Sequence, residues 1–395
     1  MTEEPGRTTR RFLTPPMRDV HAWLRNRMEE LGMQVRMDAI GNMRGIWMPD
    51  NAAGSRRYVI GSHVDTVPDA GAFDGVLGVM SALEWVVQAQ EIGTPFGIEV
   101  IAFSEEEGVR YATPFLGSRA VAGTFDERML ACEDADGITM GNAIREFGLD
   151  PAEIKNAKLE DGALGFIEVH IEQGPVLEAE NLQLAVVEGI VGQSRMELRF
   201  TGQANHAGTT PMHLRHDALE AAAEWIVEVG KMARAEEGLV ATVGKAEIRP
   251  NAGNVIPGRV DLSLDVRHMD DAKRARGTSE LLNKAEEIST ANAVQVTWKE
   301  TLNQRAVAMN GALTQELMEA LTAAGYPARR MPSGAGHDAM VMAACVPTAM
   351  LFVRSPGGVS HHPSETVREE DVEASLHVAR TFLQQRSEEF RQGLR

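Results

Sequence analysis

The chain has 395 residues, 43% of them hydrophobic and 24% charged, the balance of a soluble globular protein long enough for about two domains of ~150 residues each. No apolar run approaches the ~20 residues that cross a bilayer. The net charge of -18 disfavours nucleic acid or an anionic membrane as a partner, but not a small anionic substrate, because local cations can override the global sign.

The first part of the chain alternates helix and strand. Residues 17–32 place Val20, Trp23, Leu24, Met28 and Leu31 at helical spacing. A short buried strand is expected at 58–61, a helix at 75–90 and an apolar strand at 98–103. Such alternation predicts an α/β fold with a mostly parallel sheet and helices on both faces. The middle reads differently. Strands are expected at 196–202, 238–248, 258–268 and 294–300, with helices at 215–234 and 270–290. That β-α-β-β-α-β order is a ferredoxin-like α+β pattern. Helix, strand (347–353) and a last helix (371–391) then return to the first style. The expected division is 1–189, 190–303 and 304–395, the middle piece being inserted into the α/β domain. The N-terminus, MTEEPGRTTRRF, has no apolar stretch behind its charges and does not read as a secretory signal. Two cysteines, Cys132 and Cys345, without CxxC spacing, argue against a disulfide framework and fit a reducing cytoplasm.

Five stretches carry chemistry. In IGSHVDTV (60–67), His63 ends a strand, where open α/β sheets build their sites. Asp65 stands within reach of its second ring nitrogen. In DAGAFDGVLG (69–78), Asp74 sits in a glycine-flanked turn before a helix. It reads as a cap or as a carboxylate able to bridge two cations. In IAFSEEEGVRY (101–111), three successive acids close a buried strand, and a cation would relieve their repulsion. One could bind metal while its neighbour takes a proton from water. In GFIEVHIEQGPVLE (165–178), His170 lies within an apolar strand beside Glu172 and Gln173. In GGVSHHPSE (357–365), His361 and His362 lie in a Gly/Pro-rich loop after a strand. His63, Asp74, an acid at 105–107, His170 and His361 form a mixed nitrogen and oxygen set. It suits borderline divalent ions such as zinc, manganese, cobalt or nickel.

The motifs GSHxDTV, EEG followed by Arg-aromatic, HIEQGP, GxANHAGTTPM, NVIPG…DxR, SGAGHDA and SHxP together resemble the amidase/hydantoinase-carbamoylase group of the M20 metallopeptidase superfamily. The resemblance spans about 55–390. It implies two divalent metal ions per subunit, held by His63, Asp74, Glu107, His170 and His361, with Asp74 bridging. Glu106, just before the liganding Glu107, would be the general base, and Glu105 the variable position. His361, which follows the serine, takes the ligand role, with His362 its rival. The middle domain resembles the group's lid and dimerisation domain, which implies a homodimer. His206 would stabilise the oxyanion, while Gln173, Asn254, Arg267 and the backbone at Gly336 would hold the substrate. Arg267 could pair bidentately with a substrate carboxylate. The implied reaction is hydrolysis of a ureido C–N bond in a small anionic substrate with release of ammonia. Allantoate comes first, and an N-carbamoyl-L-amino acid or β-ureidopropionate is the alternative. A dipeptidase, or a binding protein with a dead site, is the rival reading.

Overall fold

The computed structural model describes residues 1–50 and 54–393. The chain divides into two compact units, Met1–Glu188 with Ala308–Arg395, and Gly189–Val307. In chain order the first unit opens with α1 (Pro15–Glu30), β1 (Gln34–Met37), β2 (Met43–Trp47), β3 (Arg57–His63), α2 (Val76–Ile92), β4 (Gly97–Phe103), α3 (Leu116–Ala122), α4 (Met140–Glu146), β5 (Ala163–Ile171), α5 (Val176–Ala179) and β6 (Leu184–Ile190). The second unit contributes β7 (Gly192–Thr201), α6 (Ala218–Ala235), β8 (Val240–Thr242), β9 (Ala246–Arg249), β10 (Arg259–His268), α7 (Asp271–Ala291) and β11 (Gln295–Gln304). After β12 (Val307–Ala308) the first unit resumes with α8 (Gly311–Ala323), β13 (Arg330–Ser333), α9 (Asp338–Met342), β14 (Thr348–Val353) and α10 (Glu369–Arg391).

Helix α1 starts on prolines, whose missing N–H costs nothing in a first turn. It buries Met17, Leu24 and Met28. Trp23, which the spacing assigns to that apolar face, points outward and is 43% exposed.

The large sheet runs β1-β2-β4-β3-β5-β14-β6-β12, with β13 beside β6. Its central pairs, β4 with β3, β3 with β5 and β5 with β14, are parallel. The flanks are antiparallel. Residues 38–42 are all that link β1 to β2, too short for a parallel crossover. Strands β3, β4 and β14 are buried from end to end, as parallel strands are. Helix α2 packs across β3, β4 and β5. Around them Tyr58, Trp85, Phe96 and Phe382 form an aromatic core. The parallel arrangement has one consequence for function. The C-terminal ends of β3, β4, β5 and β14 lie along one edge, so the loops that follow them gather there.

In the second unit the strand order is β11-β7-β10-β8, with β9 beside β10, and every pair is antiparallel. Strand β10 alternates strictly. Val260, Leu262, Leu264 and Val266 enter the core with Phe200, Trp225 and Leu281, and Asp261, Ser263, Asp265 and Arg267 take the opposite face. The single strand expected at 238–248 is two pieces. Strand β8 pairs with 265–267 and β9 with 259–262, and the Lys245 carbonyl between them accepts the Ser263 amide.

Candidate metal centre

The centre grows from two neighbouring parallel strands. His63 is the last residue of β3, and His170 is next to last in β5. Strand pairing therefore stacks their rings, with centroids 5.7 Å apart and planes 28° from parallel. Each Nδ1 meets a backbone carbonyl, that of Asp65 at 3.0 Å and that of Ile171 at 2.9 Å. This turns both Nε2 atoms toward Asp74, whose Oδ1 lies 3.7 Å from His63 and 3.2 Å from His170. Asp74 itself is presented by a tight turn. The Val76 N–H donates to the Asp74 carbonyl at 2.7 Å, and Gly75 adopts φ 66°, ψ -48°. That is a γ-turn of the positive-φ kind, a strained conformation that glycine tolerates best. A Cβ on Gly75 would lie 2.5 Å from His63 Nε2.

The other oxygen of Asp74 faces a second set. His361 Nε2 lies 3.1 Å from Asp74 Oδ2 and 3.3 Å from Glu107 Oε1. Two triplets, His63–Asp74–His170 and Asp74–Glu107–His361, thus share Asp74, each with ligand atoms within 4.8 Å of one another. A third, His63–Glu106–Glu107, places Glu106 beside them. His362 turns instead to the Ser364 hydroxyl, 2.7 Å away, and neither it nor Glu105 joins these groups.

The donors fit a cation. His170 Nε2 and Asp74 Oδ1 are buried without a hydrogen-bond partner, although they face each other across 3.2 Å. Two lone pairs so placed demand a proton or a metal between them. With protons alone, burial depresses His63 and His170, but the facing Asp65 and Asp74 carboxylates outweigh it and raise both. Burial works against the Asp74 charge, yet the three histidines hold its carboxyl well below the usual range. Asp74 and then Glu107 lift His361 to about 10. Ions entering here would displace those protons. Glu106 behaves in the opposite way. Burial pushes its carboxyl well above the usual range, opposed by His63 and reinforced by Glu107, Asp338 and Asp65. A carboxyl raised in this manner suits acid–base duty.

Further groups support the centre, among them Asp65, which the sequence places beside His63 and whose carboxylate lies 3.4 Å from its Nδ1. Asp65 gives its carboxylate mainly to the amides of Glu106 and Glu107, at 3.0 and 3.1 Å, and its backbone carbonyl holds the His63 ring. Glu168 accepts from the Ser62 hydroxyl and the Ala339 amide, each at 2.8 Å. It precedes His170 by two residues in an apolar strand, and an acid at that period is the signal that could have found it. His337, in SGAGHDA, packs edge-on against His170 with ring centroids 4.4 Å apart. Burial, then the His170 charge, hold it well below the ordinary imidazole range. Gln173 donates its amide to Asp74 Oδ2 at 3.0 Å and to Ser360 at 3.1 Å. This residue, expected at the substrate, therefore buttresses the shared aspartate, and its Oε1 stays unpartnered. Gly336 is exposed beside Phe115.

The other expected contacts lie in the second unit. His206 is exposed, accepts the Gly208 amide at 3.1 Å and pairs with Val255 in an isolated bridge. The Ala207 amide meets the Asn254 carbonyl at 2.9 Å, which joins the His206 and Asn254 loops. Arg267 on β10 is not free. Its Nε and Nη2 donate to the two oxygens of Asp265 at 2.7 and 3.1 Å.

Imidazoles and carboxylates at the C-terminal edge of a parallel sheet, two triplets sharing one aspartate, make a candidate centre for divalent ions. Comparison places it. The model of peptidase family M20/M25/M40 matches residues 59–385, and the chain belongs to that family. Its relatives there include amidohydrolases, and the chain is a hydrolase of C–N bonds other than peptide bonds. The N-carbamoyl-L-amino acid amidohydrolase of Geobacillus stearothermophilus is 37% identical, across 94% of this chain and 92% of its own. A probable allantoate deiminase of Oryza sativa subsp. japonica is 37% identical, across 98% and 86%. The crystal structure of a hydantoinase/carbamoylase-family amidase from Burkholderia multivorans superposes with a TM-score of 0.91 at 34% identity, over 98% of this chain and 94% of that one.

Proposed function

We propose that the chain is a binuclear amidohydrolase that cleaves a ureido C–N bond of a small carboxylate and releases ammonia, with allantoate as first substrate and N-carbamoyl-L-amino acids as alternative. The observation that carries the reading is Asp74, one carboxylate whose two oxygens face two separate donor sets. His63, Asp74 and His170 would hold one divalent ion, and Asp74, Glu107 and His361 the other, with zinc, manganese, cobalt and nickel as candidates. Such ions would acidify a water and polarise the ureido carbonyl. Glu106 takes that proton and returns it to the departing nitrogen. His206 is assigned to the oxyanion, and Arg267 with Asn254 to the substrate carboxylate.

The test is a panel of allantoate, N-carbamoyl-L-amino acids, ureidoglycolate and dipeptides, scored for ammonia or amine release before and after chelation. Ammonia from a ureido acid, lost on chelation and restored by metal, supports the reading. Full activity in a preparation shown to be metal-free, or turnover of dipeptides alone, sinks it.

We also propose a cytoplasmic homodimer formed through the second unit. Helix α6 carries a second apolar stripe on its outer side, with Leu219, Ile226 and Val227 exposed, and Val240 on edge strand β8 adds to it. An unpaired edge beside an apolar helix face is a surface that folded proteins cover. Val227→Glu together with Val240→Glu should yield a monomer in sedimentation, and an unchanged species would exclude this face. Cys132 and Cys345 are unpaired, and among the described residues no helix is long and apolar enough to cross a membrane.

A further inference from the structure

The loop that carries His361 is the least supported part of the centre. Residues 359–365 lie outside every helix and strand. His361 holds a positive φ of 55° and leaves 49% of its side chain exposed. His63 and His170 stand by contrast on buried strands. Glu365 is placed to hold the loop. Its side chain is 5% exposed. Its Oε1 accepts the backbone N–H groups of Phe73 at 2.9 Å and Asp74 at 3.0 Å. Its Oε2 accepts the Ser360 hydroxyl at 3.2 Å, and that hydroxyl also lies 3.3 Å from Asp74 Oδ2. One carboxylate thereby ties the turn that presents Asp74 to the residue preceding His361, across nearly 300 positions of sequence. The turn is shaped to receive it, since a Cβ on Gly71 would lie 2.3 Å from Glu365 Cβ and 2.4 Å from Oε1.

We infer that Glu365 is a positioning residue that sets the metal affinity of one half of the centre, Asp74–Glu107–His361. The other half, His63–Asp74–His170, draws its order from the strand ends. Without Glu365, Asp74 keeps its γ-turn and the Leu77 amide still caps the Phe73 carbonyl at 2.9 Å. Ser360 loses its link to that turn, and His361 is free to drift from Asp74 and Glu107. The inference rests on the two-ion reading above.

The test uses the full chain, stripped of metal and titrated with cobalt(II) by calorimetry and visible absorption. The wild type should take two ions per chain. Glu365→Ala should take one with unchanged affinity and the second about 10–100-fold more weakly, the range for lost outer hydrogen-bond partners of metal ligands. Glu365→Gln retains an acceptor for the two amides and should recover most of the loss. Ser360→Ala cuts the same link without removing a buried charge, and should weaken the same ion by a smaller factor. It decides the matter if Glu365→Ala melts below the titration temperature. A wild type that binds fewer than two ions defeats the two-ion reading itself. A wild type that binds two, with variants that weaken both equally or neither, overturns the role of Glu365 and leaves the two-ion reading standing.

Discussion

Gly75→Ala tests the geometry of the centre through backbone and side chain at once. Gly75 has φ 66° and ψ -48°, and holding a residue with a side chain in such a sparsely populated region costs about 1–3 kcal/mol. The new Cβ would also stand 2.5–2.6 Å from three atoms of the His63 ring. Ordinary carbon contacts begin near ~3.5 Å, so the imidazole must retreat by roughly 1 Å. It has little room, because His63 is 2% exposed and its Nδ1 is already committed to Asp65. The clash falls on a proposed ligand, not on the hydrophobic core. The expected result is a folded protein whose melting temperature drops by a few degrees for each kcal/mol, at about 2–4 °C per kcal/mol for a domain of this class. Binding at the His63 half should weaken far more than stability does. Calorimetric metal titration and thermal unfolding on the same preparation separate the two effects. A Gly75→Ala protein that keeps wild-type metal affinity and turnover would refute the reasoning, since either the turn or the ring would then be placed otherwise.

Three further outcomes are expected. Glu106→Gln should keep its metal and lose about 10²–10⁴ in kcat, whereas Glu107→Gln should lose metal; the reverse pattern exchanges their roles. Arg267→Ala should lower kcat/KM on the order of 10²-fold or more for a carboxylate substrate and hardly at all for its neutral amide. Equal losses would make Arg267 a structural partner of Asp265. His21 gives a pH prediction away from the centre. Burial depresses it to about 4, and neither ring nitrogen has a partner. The unfolded chain takes a proton below about 6.5 and the native chain only near 4. Stability is therefore lost as pH falls through that window, by up to roughly 3 kcal/mol. His21→Met should flatten the melting curve against pH between those limits relative to the wild type, and parallel curves would show that His21 is not the group.

Long periodic elements were legible in the sequence. Helix α2 and strand β10 lie within two residues of expectation, because one is apolar through three turns and the other alternates without a break. Strands β1 and β2 were not, since four and five residues carry too little pattern. The proposed ligands could be read because each sits in a compact motif. Of their supports Asp65, two residues from His63, was legible, and the others were not, because their partners come from distant chain. Glu365 reaches Phe73 and Asp74, and Glu168 reaches Ser62 and Ala339. The Asp265–Arg267 pair was the exception within reach, since two residues apart on a strand share a face.

The stacking of His63 on His170 has a consequence for how this chain tolerates change. Their separation is inherited from the hydrogen-bond lattice between β3 and β5, not from the hundred or so residues that run between them. Insertions and deletions in that excursion, for instance around the exposed turn at 134–138, leave the ring spacing where the lattice puts it. A one-residue slip inside β5 would instead rotate His170 to the opposite face of the sheet. The rim of the centre can thus change while the interval between its two buried imidazoles stays quantised by strand pairing.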